Sequence, residues 1–157
     1  MAEKPVPLTK EGMDKLQEEL DLLITVRRPQ IAHRIQEAKE LTSAQNNAEF
    51  DDAKNEQAFV EGRILTLERI IQNATLIDEE EAHHSSRVRL GATVTVTTQD
   101  GQEEQYTIVG SAEANPTQGR ISNESPVGRT LLGKRVGDEV KAKVPAGTFQ
   151  FTITAIS

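Results

Sequence analysis

The stretch from Glu37 to Arg63, EAKELTSAQNNAEFDDAKNEQAFVEGR, constrains the fold more than any other. It holds no proline, no strand-like alternation and no glycine before Gly62. Helix-forming residues fill both flanks, and only the small polar run Thr42 to Asn47 separates them. Two long helices joined by a short turn are expected, as an antiparallel hairpin with its tip at Ser43–Asn47. A small polar tip on a long hairpin suits insertion into a partner, so contact or chemistry is expected there.

The flanks support this reading. Thr9 is placed to cap a helix, because its hydroxyl can accept from an orphan N–H of the first turn. Glu11 favours the positive end of the helix dipole. Met13, Leu16, Leu20 and Leu23 recur at spacings of three and four, and Ile24, Ile31, Ile35 and Ala38 continue the apolar face, shifted by one position. An amphipathic helix from Thr9 to Leu41 follows, on the order of 50 Å long. Pro29 interrupts it and removes one backbone hydrogen bond, so the helix kinks there or breaks into two; the apolar face resuming at Ile31 favours a kink. The second helix starts near Asn47. Its seam runs Ala53, Gln57, Val60, Ile64, Leu67, Ile71 and Ala74, alternating four and three, the signature of a coiled coil. Gln57 is the polar seam residue, read as fixing register or pointing its amide to the edge.

Residues 1–77 are thus expected to form the hairpin domain, with an irregular lead-in over residues 1–7. Residues 78–87, with the acidic run Asp78–Glu81 and the pair His83–His84, read as a polar linker. Two adjacent histidines without a third ligand at fixed spacing read as solvated, so no metal site is expected. From Val88 the period changes to two. Strands are predicted over Ala92–Thr98 and Gln105–Val109, joined by the Asp100–Gly101 turn. A short strand Arg120–Ser122 follows. Ser125 and Pro126 form an N-cap and first-position proline pair for a helix to Leu132. Strands Glu139–Val144 and Thr148–Ile156 close the chain, with Phe149, Phe151, Ile153 and Ala155 on one face. Residues 88–157 therefore read as a small antiparallel β domain with one helix, making the whole α+β.

Composition excludes several functions. There is no cysteine, so disulfides and thiolate metal sites are absent. Aromatic content is 3%, too low for a large aromatic core. No apolar run approaches the roughly 20 residues needed to span a bilayer, and the first residues carry no apolar signal region. A cytoplasmic, non-membrane protein is expected. The net charge is −7, and the acidic excess lies in the hairpin half. Such a hairpin repels the nucleic-acid backbone, whose binding needs Lys and Arg against phosphates. A basic protein surface or a site rich in metal cations is the better partner.

The segments LTKEGMDKLQEELDLL, VRRPQI, NAEFDDAKNEQAFVEGRI, GATVTV and ISNESPVGRTLLGKRVGDEVKAKVPAG together resemble the bacterial Gre transcript-cleavage factors, of GreA type, over nearly the whole chain. The last segment is the most specific. The resemblance implies a coiled-coil hairpin followed by an immunophilin-like domain that binds the rim of the RNA polymerase secondary channel. The loop Asn123, Glu124, Ser125 and Pro126 would supply the main contact. The hairpin would reach down the channel, where two tip acids help the polymerase hold a second Mg2+ ion and a water for transcript hydrolysis. The chain is then no enzyme by itself, carries no cofactor of its own, and works as a monomer near the nascent RNA. Lys54 matches a basic position that could contact that RNA.

The tip departs from the family. Thr42-Ser43-Ala44-Gln45-Asn46-Asn47-Ala48-Glu49-Phe50 stands where the family commonly reads Gly-Asp-Leu-x-Glu-Asn-Ala-Glu-Tyr. The two functional acids fall on Ser43 and Asn46, neither charged. Glu49, Asp51 and Asp52 are the fallback carboxylates, expected off the tip along the second helix. Three functions follow: an elongation factor acting on paused or backtracked polymerase with cleavage stimulation weak or lost; a homologue that blocks the channel and inhibits or modulates transcription; and a coiled-coil chaperone or scaffold.

Overall fold

The computed structural model describes residues 4–41 and 48–157. The chain divides into two compact units, Met13–Asn73 and a second formed by residues 4–12 with Ala74–Ser157. This differs from the expected division at both ends. The first residues belong with the β unit, and so does everything from Ala74 onward.

The helical unit follows the periodicity. Helix α1 (Lys10–Leu22) passes through a π-helical turn, Leu23–Arg27, into α2 (Arg28–Leu41). The Arg28 N–H reaches back to the Leu23 carbonyl. The wider turn sits immediately before Pro29, whose ring cannot tolerate regular α geometry in the preceding turn. The expected kink is therefore a π-bulge. Helix α3 (Ala48–Gln72) runs back. Ala53, Val60, Ile64 and Leu67 are buried, as are Ile31, Ile35 and Ala38. Gln57 is half-buried and accepts at Oε1 from Lys54 Nζ (3.0 Å), so its amide points to the edge of the seam. Ala74 does not extend the seam, because α3 ends at Gln72.

Ion pairs lace the edges of this hairpin. Arg63 holds Glu19 through two nitrogens (2.8 and 2.9 Å), and Arg28 holds Glu61 in the same forked manner (2.8 Å for both bonds). Arg27 and Arg34 share the two oxygens of Glu56. Planar guanidinium against carboxylate fixes direction as well as distance.

In the second unit the expected irregular lead-in contains strand β1 (Val6–Leu8), parallel to β2 (Ala74–Leu76). Pro7 hides β1 from a sequence reading, yet proline is tolerated where the ladder has only one neighbour. The expected linker contains a short helix, α4 (Glu79–His83), capped by Asp78, with Ala82 buried. His83 and His84 are exposed.

The main sheet comprises β3 (Thr93–Thr98), β4 (Glu103–Val109), β5 (Arg120–Ser122), β6 (Glu139–Val144) and β7 (Gly147–Ile156), in the order β5-β4-β3-β7-β6. It is antiparallel except for β4 with β5, which run parallel. Helix α5 (Pro126–Leu131) covers part of one face. The core there contains Val88, Val94, Val96, Ile108, Leu131, Val140, Phe151 and Ile153. The expected common face of β7 breaks at its end. Pairing with β3 shifts register between Thr95 and Val96, so Ala155 is exposed and Ile156 packs on the core instead. A bulge inserts one residue and reverses the alternation beyond it.

Candidate functional site

The loop between β5 and α5 has a specific local cause. Ser125 Oγ accepts from the Gly128 N–H (3.1 Å) and donates to the Ser122 carbonyl (2.6 Å). Pro126 takes the first helical position, where its missing N–H costs nothing. Gly128 is forced, since a Cβ there would lie 2.0 Å from the Ser122 oxygen. The Asn123 N–H is held by the Val109 carbonyl (2.9 Å). The loop is thus rigid through its backbone, and it presents Glu124 outward.

Glu124 is already engaged within the chain. Its Oε1 receives Lys4 Nζ (2.6 Å), its Oε2 the Ser111 hydroxyl (3.1 Å), and its N–H bonds Ser122 Oγ (3.0 Å). The Lys4 bond above all, with the Ser111 bond behind it, holds the carboxyl below the usual carboxylate range. Lys4 and Ser111 were not anticipated as parts of the site. Lys4 lies in the segment taken for an irregular lead-in, and no sequence pattern links it to a residue 120 positions away.

A second polar cluster ties the start of α1 to the loop after β4. Glu113 accepts from the Thr9 N–H (2.7 Å), the Thr9 hydroxyl (2.6 Å) and Arg120 Nη2 (3.0 Å), while Thr9 Oγ1 caps the Gly12 N–H (3.0 Å). The predicted Thr9 cap is present, and a distant carboxylate doubles it. Gly12 is what lets that carboxylate approach, because a Cβ there would lie 2.2 Å from its carbon.

The residues expected at the tip divide in two. Thr42, Ser43, Ala44, Gln45, Asn46 and Asn47 lie outside the described residues. Phe50 is half-buried and packs on the hairpin core. Glu49, Asp51, Asp52 and Lys54 sit exposed along the start of α3, where acids in the first turn complement the helix dipole. Among the described residues, no three His, Cys, Asp or Glu side chains are placed to hold a metal ion.

Two family models match consecutive parts of the chain. "Transcription elongation factor, N-terminal" covers residues 6–76 and "Transcription elongation factor, GreA/GreB, C-term" covers residues 82–157. The chain belongs to the GreA/GreB family. It is 52% identical over 157 residues to "Transcription elongation factor GreA" of Chloroflexus aggregans, covering 99% of both chains. It is 51% identical over 156 residues to the protein of the same name in Bacillus licheniformis, covering 99% of this chain and 98% of that one. Among solved structures, the GreA factor homolog 1 (Gfh1) protein of Thermus thermophilus is 32% identical, covering 98% of this chain and 99% of that one, with a TM-score of 0.46.

Proposed function

We propose that this chain is a transcription elongation factor that binds bacterial RNA polymerase and reaches into its secondary channel with the hairpin, acting on paused or backtracked complexes. Membership of the GreA/GreB family across both units carries this reading. A hairpin stiffened by paired edges and a rigid loop presenting Glu124 agree with it. The reaction belongs to the polymerase, whose Mg2+ supplies the activated water and charge neutralisation of phosphodiester hydrolysis. The chain contributes position.

The proposed activity is weak or absent cleavage stimulation. Mg2+ is held by anionic oxygens in a near-octahedral shell. Ser43 and Asn46 bring no negative charge to the tip. The same absence favours a second reading, in which the chain occupies the channel and modulates or inhibits synthesis. Lys54 would contact the displaced RNA by its charge, with the salt sensitivity of a phosphate contact.

The test is a time course of RNA shortening in backtracked complexes over a magnesium series. The unaltered chain should bind and shorten RNA poorly. The pair Ser43→Asp with Asn46→Glu should raise shortening strongly at unchanged binding, and each single change should do much less. Robust shortening by the unaltered chain at low magnesium would assign the work to Glu49, Asp51 or Asp52. For the loop, Glu124→Arg should weaken polymerase capture, whereas Lys4→Ala, which frees the same carboxylate, should leave capture intact or improve it. Capture indifferent to Glu124→Arg would remove the loop from the interface.

A further inference from the structure

The core face of the main sheet is longer than the helix that covers it. Helix α5 has 6 residues, about 9 Å of axis. Strand β7 has 10, about 33 Å. Beside it the sheet face and Val127 of α5 line a cleft of about 430 Å³. Its apolar wall is Phe149, Phe151, Tyr106 and Val144, and its rim carries Asp100 and Glu104. Phe149 and Phe151 stack at 6.2 Å with 10° between ring planes, and Tyr106 meets Phe151 edge-on at 6.3 Å. Phe149 remains 48% exposed. In a chain with only four phenylalanines and one tyrosine, three of the five rings stand at this one open cleft.

The charge there has one sign. No Lys or Arg lines the cleft. On the bordering strand β6, Lys141 and Lys143 are exposed while Val140 and Ala142 are buried, so the strand's alternation puts both lysines on the opposite face. Glu104 sits on the core side of β4, opposite Val96, and accepts from the Tyr106 hydroxyl. Glu104 is exposed at the rim, so with Asp100 it leaves the open end of the cleft negatively charged. Aromatic faces beside carboxylates recognise a cation carried on an apolar stem.

We infer that this cleft is a docking site for a partner-protein segment presenting an apolar anchor flanked by lysine or arginine. The anchor side chain fills the space over Phe149, Phe151 and Val144, and the flanking cation meets Asp100 and Glu104. Glu124 does not line this cleft, although Val127, next to Pro126 of the same loop, does.

The experiment titrates the full isotope-labelled chain, followed by amide spectra, with three probes. The first is an amphipathic Leu/Lys peptide, the second its Leu/Glu twin, the third spermidine as a cation without an anchor. The Leu/Lys peptide should shift residues 98–106 and 144–151, and the other two should bind at least roughly tenfold more weakly. Phe149→Ser should weaken the peptide roughly tenfold or more, as expected for loss of an aromatic anchor. Asp100→Asn with Glu104→Gln should weaken it several-fold and flatten its salt dependence. Both variants alter exposed positions, and an unchanged dispersed spectrum without peptide checks the fold. Equal binding of the Leu/Glu twin overturns the charge assignment. Spermidine binding as tightly as the peptide makes the cleft a small-cation site, and concentration-dependent shifts without any probe make it a contact between copies. Either result, or shifts confined to other residues, overturns the proposal.

Discussion

The hairpin and the β unit are stabilised in different ways. The hairpin buries a single line of side chains, and much of its edge is ionic: Arg63 with Glu19, Arg28 with Glu61, and Arg27 and Arg34 with Glu56. The β unit encloses a core in which Val94, Val96, Ile108, Leu131 and Ala142 have no exposed surface. Two helices offer one shared seam, whereas a sheet face and a helix enclose a volume. A two-helix hairpin has no third element with which to thicken its core. Exposed ion pairs add little free energy each, but they fix register and direction.

The largest contrast should come from cavity formation. Leu131→Ala removes a fully buried side chain from the β core and should cost about 3–5 kcal/mol. Leu67→Ala, equally buried on α3, should cost about 2–3 kcal/mol, because a two-helix seam relaxes more easily. Denaturant titrations followed by circular dichroism would measure both. Equal costs would mean the seam is packed as rigidly as the sheet core.

Next is the carboxylate that caps α1. Glu113→Ala leaves the buried Thr9 N–H and Arg120 without their acceptor, a cost of about 1–3 kcal/mol. Gly12→Ala should be similarly damaging, because its methyl displaces that carboxylate. Once Glu113 is alanine, the Gly12→Ala penalty should vanish. A double-mutant cycle measures this coupling. Additive effects would show that the methyl and the carboxylate do not compete for the same space.

The pH limbs should also separate the units. The guanidiniums of Arg63 and Arg28 hold the Glu19 and Glu61 carboxyls below their ordinary value. A depressed acid contributes above the unfolded pKa, and the contribution is lost as pH falls through the folded one. The hairpin should therefore weaken as pH falls below about 4.5, and Glu19→Gln, which lacks the pair at every pH, should be less stable at neutral pH with a flatter acid limb. In the β unit, burial first and the Glu104 bond second push Tyr106 up to about 12. A raised acid contributes fully below its unfolded pKa near 10 and is lost as pH climbs toward 12. Because Tyr106 is the one tyrosine and there is no tryptophan, tyrosinate absorbance reads this group alone. Ionisation at the ordinary value would show that the ring is solvated. Tyr106→Phe should flatten the alkaline limb and leave the acid limb unchanged.

How much of this was legible in the sequence follows from the range of the signals. Helical periodicity is local, so α1, α2 and α3 and most of the seam could be read directly, and so could the Ser125–Pro126 cap. The π-turn before Pro29 was legible only as a disturbance. Features that depend on residues far apart were not legible. Thr9 announces a cap, but nothing announces that Glu113 shares it. Val6–Leu8 is a strand only because Ala74–Leu76 lies beside it, and the bulge at Thr95–Val96 is set by pairing. The aromatic cleft arises from the difference in length between β7 and α5, which no single segment contains. The expectation that Ser43 and Asn46 stand where the family has acids falls on residues outside those described.

The smallest effect gives opposite signs in the two units. Gly62 lies inside α3, exposed, and a Cβ built there meets nothing within 4 Å. Glycine in a helix interior costs about 0.5–1 kcal/mol relative to alanine, mostly through the entropy of the unfolded chain. Gly62→Ala should therefore stabilise the hairpin by about that amount. Gly119 has φ of 75°, and a Cβ there would stand 3.0 Å from the Gln105 carbonyl oxygen. Gly119→Ala should destabilise the β unit by about 1 kcal/mol or more, since alanine resists that left-handed backbone. Matched thermal melts of the two variants measure the difference. If Gly62→Ala also destabilises, α3 is strained or closely approached at that point, and its outer face is not the free helix surface described above.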